Sequence, residues 1–263
     1  MNLTQLQQKV DSGEKIAVLT CYDASFAAIC EQAGVEVLLV GDSLGMVLQG
    51  GASTLAVTLN DMQYHTRNVA AGSSNTYIVA DLPFGSYQQN REQALRSAVR
   101  LMAAGAHMIK LEGGVVMAET VRFLVERGIP VIGHVGLTPQ AVNVLGGYGA
   151  RGKSDAEAEK IVADARSLDE AGAFAIVVEG VLEPIAEAVT AAVACPTIGI
   201  GASAKCDGQV LVCEDMLGMF ERVPRFVKRY EEMAQIISKA AETYAAEVRS
   251  RAFPGEEQTY QPK

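Results

Sequence analysis

Short apolar runs alternate with longer amphipathic segments along this chain. Each run is rich in Val, Ile or Leu, as expected for strands that are buried on both faces of a parallel sheet. The eight runs lie at residues 15–20, 35–42, 76–82, 107–113, 130–136, 174–180, 196–202 and 209–215. Helical spacing marks the segments between them, which include residues 57–71, 92–105, 115–127, 155–171 and 184–194.

Eight strand–helix units in about 250 residues predict an α/β fold, a (β/α)8 TIM barrel. We expect this barrel to be one domain that extends over residues 1–263. An open, doubly wound sheet is the alternative, because a linear pattern does not show whether a sheet closes.

The C-terminal region departs from this alternation. Residues 224–251 carry one apolar stripe at helical spacing, which predicts the longest helix of the chain. The stripe is expected to pack on the barrel, with contact to a partner subunit as the alternative. Pro254 and Gly255 then open a polar segment, and residues 254–263 are predicted to form an extended tail.

Most of the apolar runs end in polar residues. These residues are Asp42, Ser43, Asp81, Lys110, Glu112, His134 and Glu179. Active-site groups of parallel barrels come from the C-terminal ends of several strands. The alternation of side chains places Asp42 on the face of Val40 and Glu179 on the face of Val177, so we expect these groups to point inward at the rim. A lone acid after a strand is often a helix cap, but a whole set of buried charges is costly unless it is paired or binds metal.

Three carboxylates, Asp42, Asp81 and Glu112, follow consecutive strands. They are hard oxygen ligands without Cys or His beside them, which favours Mg²⁺, or Mn²⁺, over zinc. Magnesium retains several waters, and Glu112 is the acid most expected to bind through one of them. Lys110 either holds a substrate carboxylate or neutralises the acids.

Charge and composition restrict the partners more than the chemistry. The 263 residues include 22 Lys and Arg against 31 Asp and Glu, a net charge of −9, which argues against nucleic acid and anionic membranes as main partners. No apolar stretch of about 20 residues predicts a membrane span, and residues 1–15 lack the apolar core of a secretion signal. Five scattered cysteines fit reduced thiols, so a cytoplasmic protein is expected.

Several short motifs occur in a fixed order. They are VGDSLGM (40–46), ADLPF (80–84), IKLEGG (109–114), GHVGLTPQ (133–140), GGYGARG (146–152), GIGA…DGQ (199–209) and AFPGEE (252–257). Each is weak by itself, but the ordered set resembles the ketopantoate hydroxymethyltransferase family of the pyruvate/phosphoenolpyruvate-type barrel superfamily. The resemblance extends over nearly the whole chain.

This resemblance implies a reaction. The family transfers a hydroxymethyl unit from 5,10-methylenetetrahydrofolate to 3-methyl-2-oxobutanoate, giving 2-dehydropantoate on the route to pantothenate and coenzyme A. Enolisation of the oxo acid would be assisted by Mg²⁺. The resemblance also implies a homo-oligomer built from many barrels, such as a decamer.

The resemblance assigns a role to most of the polar residues. Asp42 and Asp81 resemble the direct metal ligands that also contact substrate, and Glu112 resembles the third metal-site acid. Ser43 and Lys110 resemble the groups that hold the substrate carboxylate. Glu179 resembles the base that removes the C3 proton. His134 is placed with the substrate-binding residues because it shares the rim, and its chemical role stays open.

Two other functions compete with this one. A magnesium-dependent lyase or mutase of the same superfamily would act on a related 2-oxo acid, but the cysteine-containing loop motif of those relatives is absent from the sequence. A non-catalytic barrel would use the fold for binding or assembly. The glycine-rich segment 146–155 is interpreted as a lid over the site, with a plain loop as the alternative.

Overall fold

The structure is a computed structural model that describes residues 3–261. The predicted domain 1–263 and tail 254–263 therefore extend, at residues 1–2 and 262–263, outside the described residues. The chain divides after Val212 into two compact units. The barrel is complete within the first unit, and the extension of one domain over the whole chain stays a prediction.

The first unit is a closed barrel of eight parallel strands, which confirms the barrel over the open sheet. The strands pair in chain order, and β8 returns to pair with β1. They are β1 (Ile16–Thr20), β2 (Val37–Val40), β3 (Tyr77–Asp81), β4 (Met108–Glu112), β5 (Val131–Gly136), β6 (Ala175–Glu179), β7 (Thr197–Ile200) and β8 (Gly208–Leu211).

Helices follow or precede the strands as the amphipathic pattern predicts. The longer ones are α1 (Leu3–Asp11), α2 (Ala24–Gln32), α4 (Leu59–Gly72), α5 (Arg91–Ala103), α6 (Val115–Val125), α8 (Asp155–Glu170) and α9 (Glu183–Ala192). Two four-residue helices, α3 (Leu44–Val47) and α7 (Val142–Leu145), lie in the loops after β2 and β5. No helix within residues 3–261 is long and apolar enough to cross a membrane.

Two apolar layers hold the barrel together. The inner layer fills the barrel with side chains such as Val18, Val79 and Val177, and Leu6 of α1 belongs to the same cluster. The outer layer packs the other face of the strands against the helices, with Leu38 as one of its fully buried members. Burial on both faces explains why the strands appear in the sequence as continuous apolar runs.

The second unit contains a shorter final helix than predicted. The described part of this unit contains α10 (Cys213–Met216), the final helix α11 (Met233–Ser250) and a 3-10 turn at Glu256–Gln258. The predicted helix start near residue 224 is wrong, because the Tyr230 N–H donates to Met216 O at 2.8 Å instead of to a carbonyl four residues earlier. No residue of α11 is buried.

Candidate active site

The structure brings the predicted polar residues to one end of the barrel. Asp81, Glu112 and Glu179 are the last residues of β3, β4 and β6. Lys110 and His134 lie inside β4 and β5, and Asp42 and Ser43 follow β2. The carboxyl ends of parallel strands meet at one edge, so five strands deliver these groups to the same rim.

Asp42 reaches this rim by a different route from the one predicted. Val40 packs in the outer layer with the helices, so the face that it marks is not the barrel interior. Because β2 ends at Val40, the alternation rule does not extend to Asp42. The prediction that Asp42 shares an inward face with Val40 is therefore wrong, although Asp42 is buried at the rim.

Asp81 and Lys110 form a buried ion pair. Lys110 Nζ lies 2.6 Å from Asp81 Oδ1, and only 3% and 6% of Asp81 and Lys110 are exposed. Burial opposes the charge of Lys110, but the carboxylates of Asp81, Glu112 and Asp42 outweigh it and raise the pKa of Lys110. The lysine is therefore a fixed positive charge among acids.

Asp42 lies where the negative charge of the cluster disfavours a further ionised carboxylate. Its backbone N–H donates to Asp81 Oδ2 at 3.1 Å. Burial, reinforced by repulsion from Asp81 and Glu112, raises the pKa of Asp42 to about 8, although Lys110 opposes the rise. The one lysine does not neutralise its acidic neighbours, so the cluster favours an added cation.

His134 lies between two carboxylates. Its Nδ1 is 3.6 Å from Glu112 Oε1 and its Nε2 is 3.2 Å from Glu179 Oε2. Both contacts are within ion-pair range, but neither is aligned as a hydrogen bond. Burial and Lys110 oppose protonation, yet Glu112 and Glu179 outweigh them and raise the pKa of His134 to about 9. The imidazole is therefore cationic at neutral pH.

Ser43 is held by an aromatic residue from the loop after β1. The hydroxyl oxygens of Tyr22 and Ser43 are 2.8 Å apart. A side chain on Gly41 would come within 2.7 Å of Ser43 Oγ, so glycine keeps this position open. Neighbouring Asp23 caps α2 by accepting from the backbone N–H groups of Ser25 and Phe26.

Two buried residues of the site were not predicted. The Gln140 side chain donates to Asp42 Oδ2 at 2.8 Å, and its backbone N–H donates to Glu112 Oε2 at 3.0 Å. Tyr87 donates to Gln140 Oε1 at 2.7 Å. Gln140 ends the GHVGLTPQ motif, so the sequence contained a signal for it, whereas nothing in the pattern marks Tyr87.

The donor set fits a magnesium ion that is held by few protein ligands. Within the described residues, no three His, Cys, Asp or Glu side chains come together as a ready-made chelate. Asp42, Asp81 and Glu112 are nevertheless all buried oxygen donors, and their burial and mutual repulsion raise the pKa of Asp42. Magnesium is typically bound by one or two carboxylates and several waters, which suits this arrangement.

The glycine-rich loop is attached to the strand end that carries Glu179. Arg151 N donates to Gly180 O at 2.7 Å, and Leu182 N donates to Arg151 O at 3.1 Å. Burial and the carboxylates of Asp42, Glu112 and Glu179 raise the pKa of Tyr148 on this loop. The loop thus borders the acid cluster, and its movement as a lid stays a prediction.

Comparison with known proteins gives a consistent family. The sequence model described as "Ketopantoate hydroxymethyltransferase" matches residues 1–256. A 3-methyl-2-oxobutanoate hydroxymethyltransferase of Erythrobacter litoralis is 63% identical over 95% of this chain and 86% of its own length. One from Novosphingobium aromaticivorans is also 63% identical, over 98% and 90%.

A solved structure supports the fold class. A 2,3-dimethylmalate lyase of the PEP mutase/isocitrate lyase superfamily aligns with a TM-score of 0.63 over 98% of this chain and 88% of that chain. The two sequences are 17% identical, so this likeness concerns the fold alone.

Proposed function

This chain belongs to the ketopantoate hydroxymethyltransferase family, and on that premise we propose that it transfers a hydroxymethyl unit from 5,10-methylenetetrahydrofolate to 3-methyl-2-oxobutanoate. The family is one of enzymes, so the chain is an enzyme and the non-catalytic barrel is excluded. The proposed product is 2-dehydropantoate, with water supplying the hydroxyl oxygen and tetrahydrofolate leaving.

The observation that carries the proposal is the order of charges across the rim. On one side, Asp42 lies beside the Asp81–Lys110 ion pair. On the other side, His134 separates Glu112 from Glu179. A carboxylate base is therefore kept apart from the acids that suit a cation, and a 2-oxo acid between them would meet both.

The first proposed task of the site is to bind and orient the oxo acid. Mg²⁺, held by Asp42 and Asp81 and through water by Glu112, would supply Lewis acidity toward the 2-oxo group. Lys110 would attract the substrate carboxylate by charge, and Ser43, steadied by Tyr22, would donate a hydrogen bond to it. Fixed donors that are aimed at developing charge need no reorganisation during the reaction.

The second proposed task is removal of the C3 proton. Glu179 ends β6, where its side chain is 16% exposed and so remains reachable from the rim. Its carboxylate would accept the proton, and His134 Nε2, 3.2 Å from Glu179 Oε2, would orient that carboxylate. The resulting carbon nucleophile would form a C–C bond to the methylene carbon of the folate, and the two C–N bonds of that carbon would break as tetrahydrofolate leaves and water supplies the hydroxyl.

We also propose the setting in which the enzyme works. The family resemblance supports a cytoplasmic homo-oligomer of many barrels, such as a decamer, and small molecules as the only substrates. Light scattering on the purified chain measures the mass directly. A monomer at micromolar concentration would contradict the oligomer.

Proton exchange tests the base separately from the folate. The protein is incubated in D₂O with 3-methyl-2-oxobutanoate and Mg²⁺, and the C3 proton is followed by NMR. We expect exchange that Glu179→Gln reduces by about 10²-fold to 10⁴-fold, the usual contribution of a general base. Glu183→Gln, an exposed acid four residues later, is the matched control and should exchange like the wild type. Wild-type protein that neither exchanges the proton nor makes product from both substrates would refute the function.

Calorimetric titration tests the metal ligands. Mg²⁺ is titrated into protein with 3-methyl-2-oxobutanoate present, and Asp42→Ala should abolish the binding heat because it removes a proposed direct ligand. Asp11→Ala, at an exposed acid of α1, should bind as the wild type does. Equal affinity in Asp42→Ala and the wild type would show that Asp42 is not a ligand.

A further inference from the structure

Gln140 connects two of the candidate metal acids. It lies in the 3-10 turn Pro139–Ala141 after β5 and is buried. Its Nε2 donates to Asp42 Oδ2 at 2.8 Å and to Leu82 O at 2.9 Å. Its backbone N–H donates to Glu112 Oε2 at 3.0 Å. A single residue therefore engages one oxygen of each carboxylate.

The amide of Gln140 has only one favourable orientation. Its Oε1 accepts from Tyr87 Oη at 2.7 Å and from Gln88 Nε2 at 3.1 Å. A flipped amide would point its NH₂ group at the Gln88 NH₂ group and its oxygen at two acceptors, Asp42 Oδ2 and Leu82 O. The donors on one side therefore fix the NH₂ group toward Asp42 on the other.

Tyr87 in turn is held by Glu112. The Glu112 backbone N–H donates to Tyr87 Oη at 3.1 Å, and Tyr87 is 1% exposed. Glu112, Tyr87 and Gln140 thus form a closed ring of buried hydrogen bonds. The side chain of Gln140 connects this ring to Asp42. Such a ring is rigid, because every member loses a partner if one of them moves.

A neutral amide is suited to this position. Lysine or arginine would offer a positive charge to Asp42 and Glu112 and would compete with a metal cation. Gln140 instead leaves the negative charge in place and binds only Oδ2 and Oε2. Gln140 contacts neither Asp42 Oδ1 nor Glu112 Oε1, and Glu112 Oε1 faces His134 Nδ1 at 3.6 Å.

We propose that Gln140, locked by Tyr87, is a positioning residue that fixes the Asp42 and Glu112 carboxylates for the metal and its waters. This inference rests on the proposed function of the same site. Residues that orient metal ligands commonly change metal affinity or activity by 10-fold to 100-fold when they are mutated.

Three variants separate positioning from general stability. Gln140→Met keeps the side-chain length and the backbone bond to Glu112 but removes the bond to Asp42. Tyr87→Phe keeps Gln140 and removes one of its two orienting donors. Gln93→Met is the matched control, since the amide of half-buried Gln93 donates to Gly85 O and accepts from Gln89 N without touching a site carboxylate.

The readouts are calorimetric Mg²⁺ affinity in the presence of 3-methyl-2-oxobutanoate and the Mg²⁺ dependence of turnover. We expect Gln140→Met to weaken Mg²⁺ binding at least tenfold, Tyr87→Phe to weaken it about threefold, and Gln93→Met to stay within twofold. Excess Mg²⁺ should restore part of kcat in Gln140→Met, which a merely structural defect would not allow. Circular dichroism checks that each variant is folded.

The outcomes distinguish failure of the positioning role of Gln140 from failure of the proposed hydroxymethyltransferase function. Wild-type turnover together with wild-type Mg²⁺ affinity in Gln140→Met overturns the positioning role alone. If Gln140→Met does not fold, Tyr87→Phe decides, and affinity equal to that of Gln93→Met overturns the proposal. Wild-type protein that neither turns over nor binds Mg²⁺ overturns both.

Discussion

The barrel interior changes from apolar to charged within the length of one strand. In β4, Met108, Lys110 and Glu112 lie on the same face. Met108 belongs to the inner apolar layer and is fully buried. Lys110, two residues after Met108, instead forms an ion pair with Asp81. Strand β3 makes the same change from Val79 to Asp81.

The two regions are stabilised by different forces. Below the change, close packing removes apolar surface from water, which stabilises the fold in rough proportion to the area buried. Above it, Lys110 and His134 offset only part of the acidic charge, so the stability of each charged group depends on its neighbours. We therefore expect a substitution at the rim to destabilise the charged groups that lose their partner. A substitution in the interior should destabilise the fold by leaving a cavity.

The largest effect should follow from removing the one cation of the Asp81 pair. Lys110→Met keeps the bulk of the side chain but leaves buried Asp81 without its 2.6 Å partner. Breaking a buried pair in this way costs about 3–5 kcal/mol, which denaturant unfolding at pH 7 would measure.

Lys205→Met is the matched control for this substitution. Lys205 pairs with Glu187 at 2.7 Å, but 70% of its side chain is exposed. An exposed pair contributes about 0–1 kcal/mol. Equal losses in the two variants would mean that burial does not distinguish the rim from the surface.

A smaller effect is expected in the apolar interior. Met108→Ala opens a cavity two residues before Lys110 in β4, and a buried Met→Ala change costs about 2–5 kcal/mol. The Mg²⁺ affinity measured with the oxo acid should stay within threefold of the wild type, because no site group loses a partner. A loss of metal affinity as large as that of Gln140→Met would erase the distinction between the two regions.

The interior was the more predictable region. Its strands follow directly from the apolar runs, and the order β1 to β8 from the strand–helix alternation. Closure was predicted from the count of units, because adjacent pairing does not appear in the sequence. The start of α11 was predicted too early because the apolar stripe begins before the helix does. In the segment before α11, the Tyr230 N–H donates to Met216 O and not to a carbonyl four residues earlier.

The sequence predicted which residues lie at the rim but not which of them contact one another. Asp81, Lys110, Glu112 and Glu179 were found because strand ends meet at one edge. Which of these groups pair depends on distances across strands, so the position of His134 between two acids did not follow from the sequence. Tyr87 was missed because its role depends on a contact with Gln140, 53 residues away in the chain.

The smallest effect concerns the pH dependence of stability at the rim. The pKa of Asp42 is raised by burial and by its acidic neighbours to about 8, against about 4 in the unfolded chain. The folded state therefore binds more protons than the unfolded state within that window, and stability falls as pH rises through it. His134 adds a decline of the same sign between pH ~6.5 and the raised value of about 9.

Asp42→Asn tests this without a metal present. The asparagine can still accept the bond from Gln140, but it no longer has to ionise in a buried acidic cluster. We expect the variant to exceed the wild type in unfolding free energy at pH 8 by on the order of 2 kcal/mol, and by much less at pH 5. Asp11→Asn, at an exposed acid of α1, should shift neither value. Parallel pH profiles for Asp42→Asn and the wild type in EDTA would show that Asp42 is not under electrostatic strain. If the unfolding free energy of Asp42→Asn exceeds that of the wild type only at high pH, Asp42 lowers the stability of the fold. Such a cost is typical of residues at functional sites, and the apolar interior does not bear it.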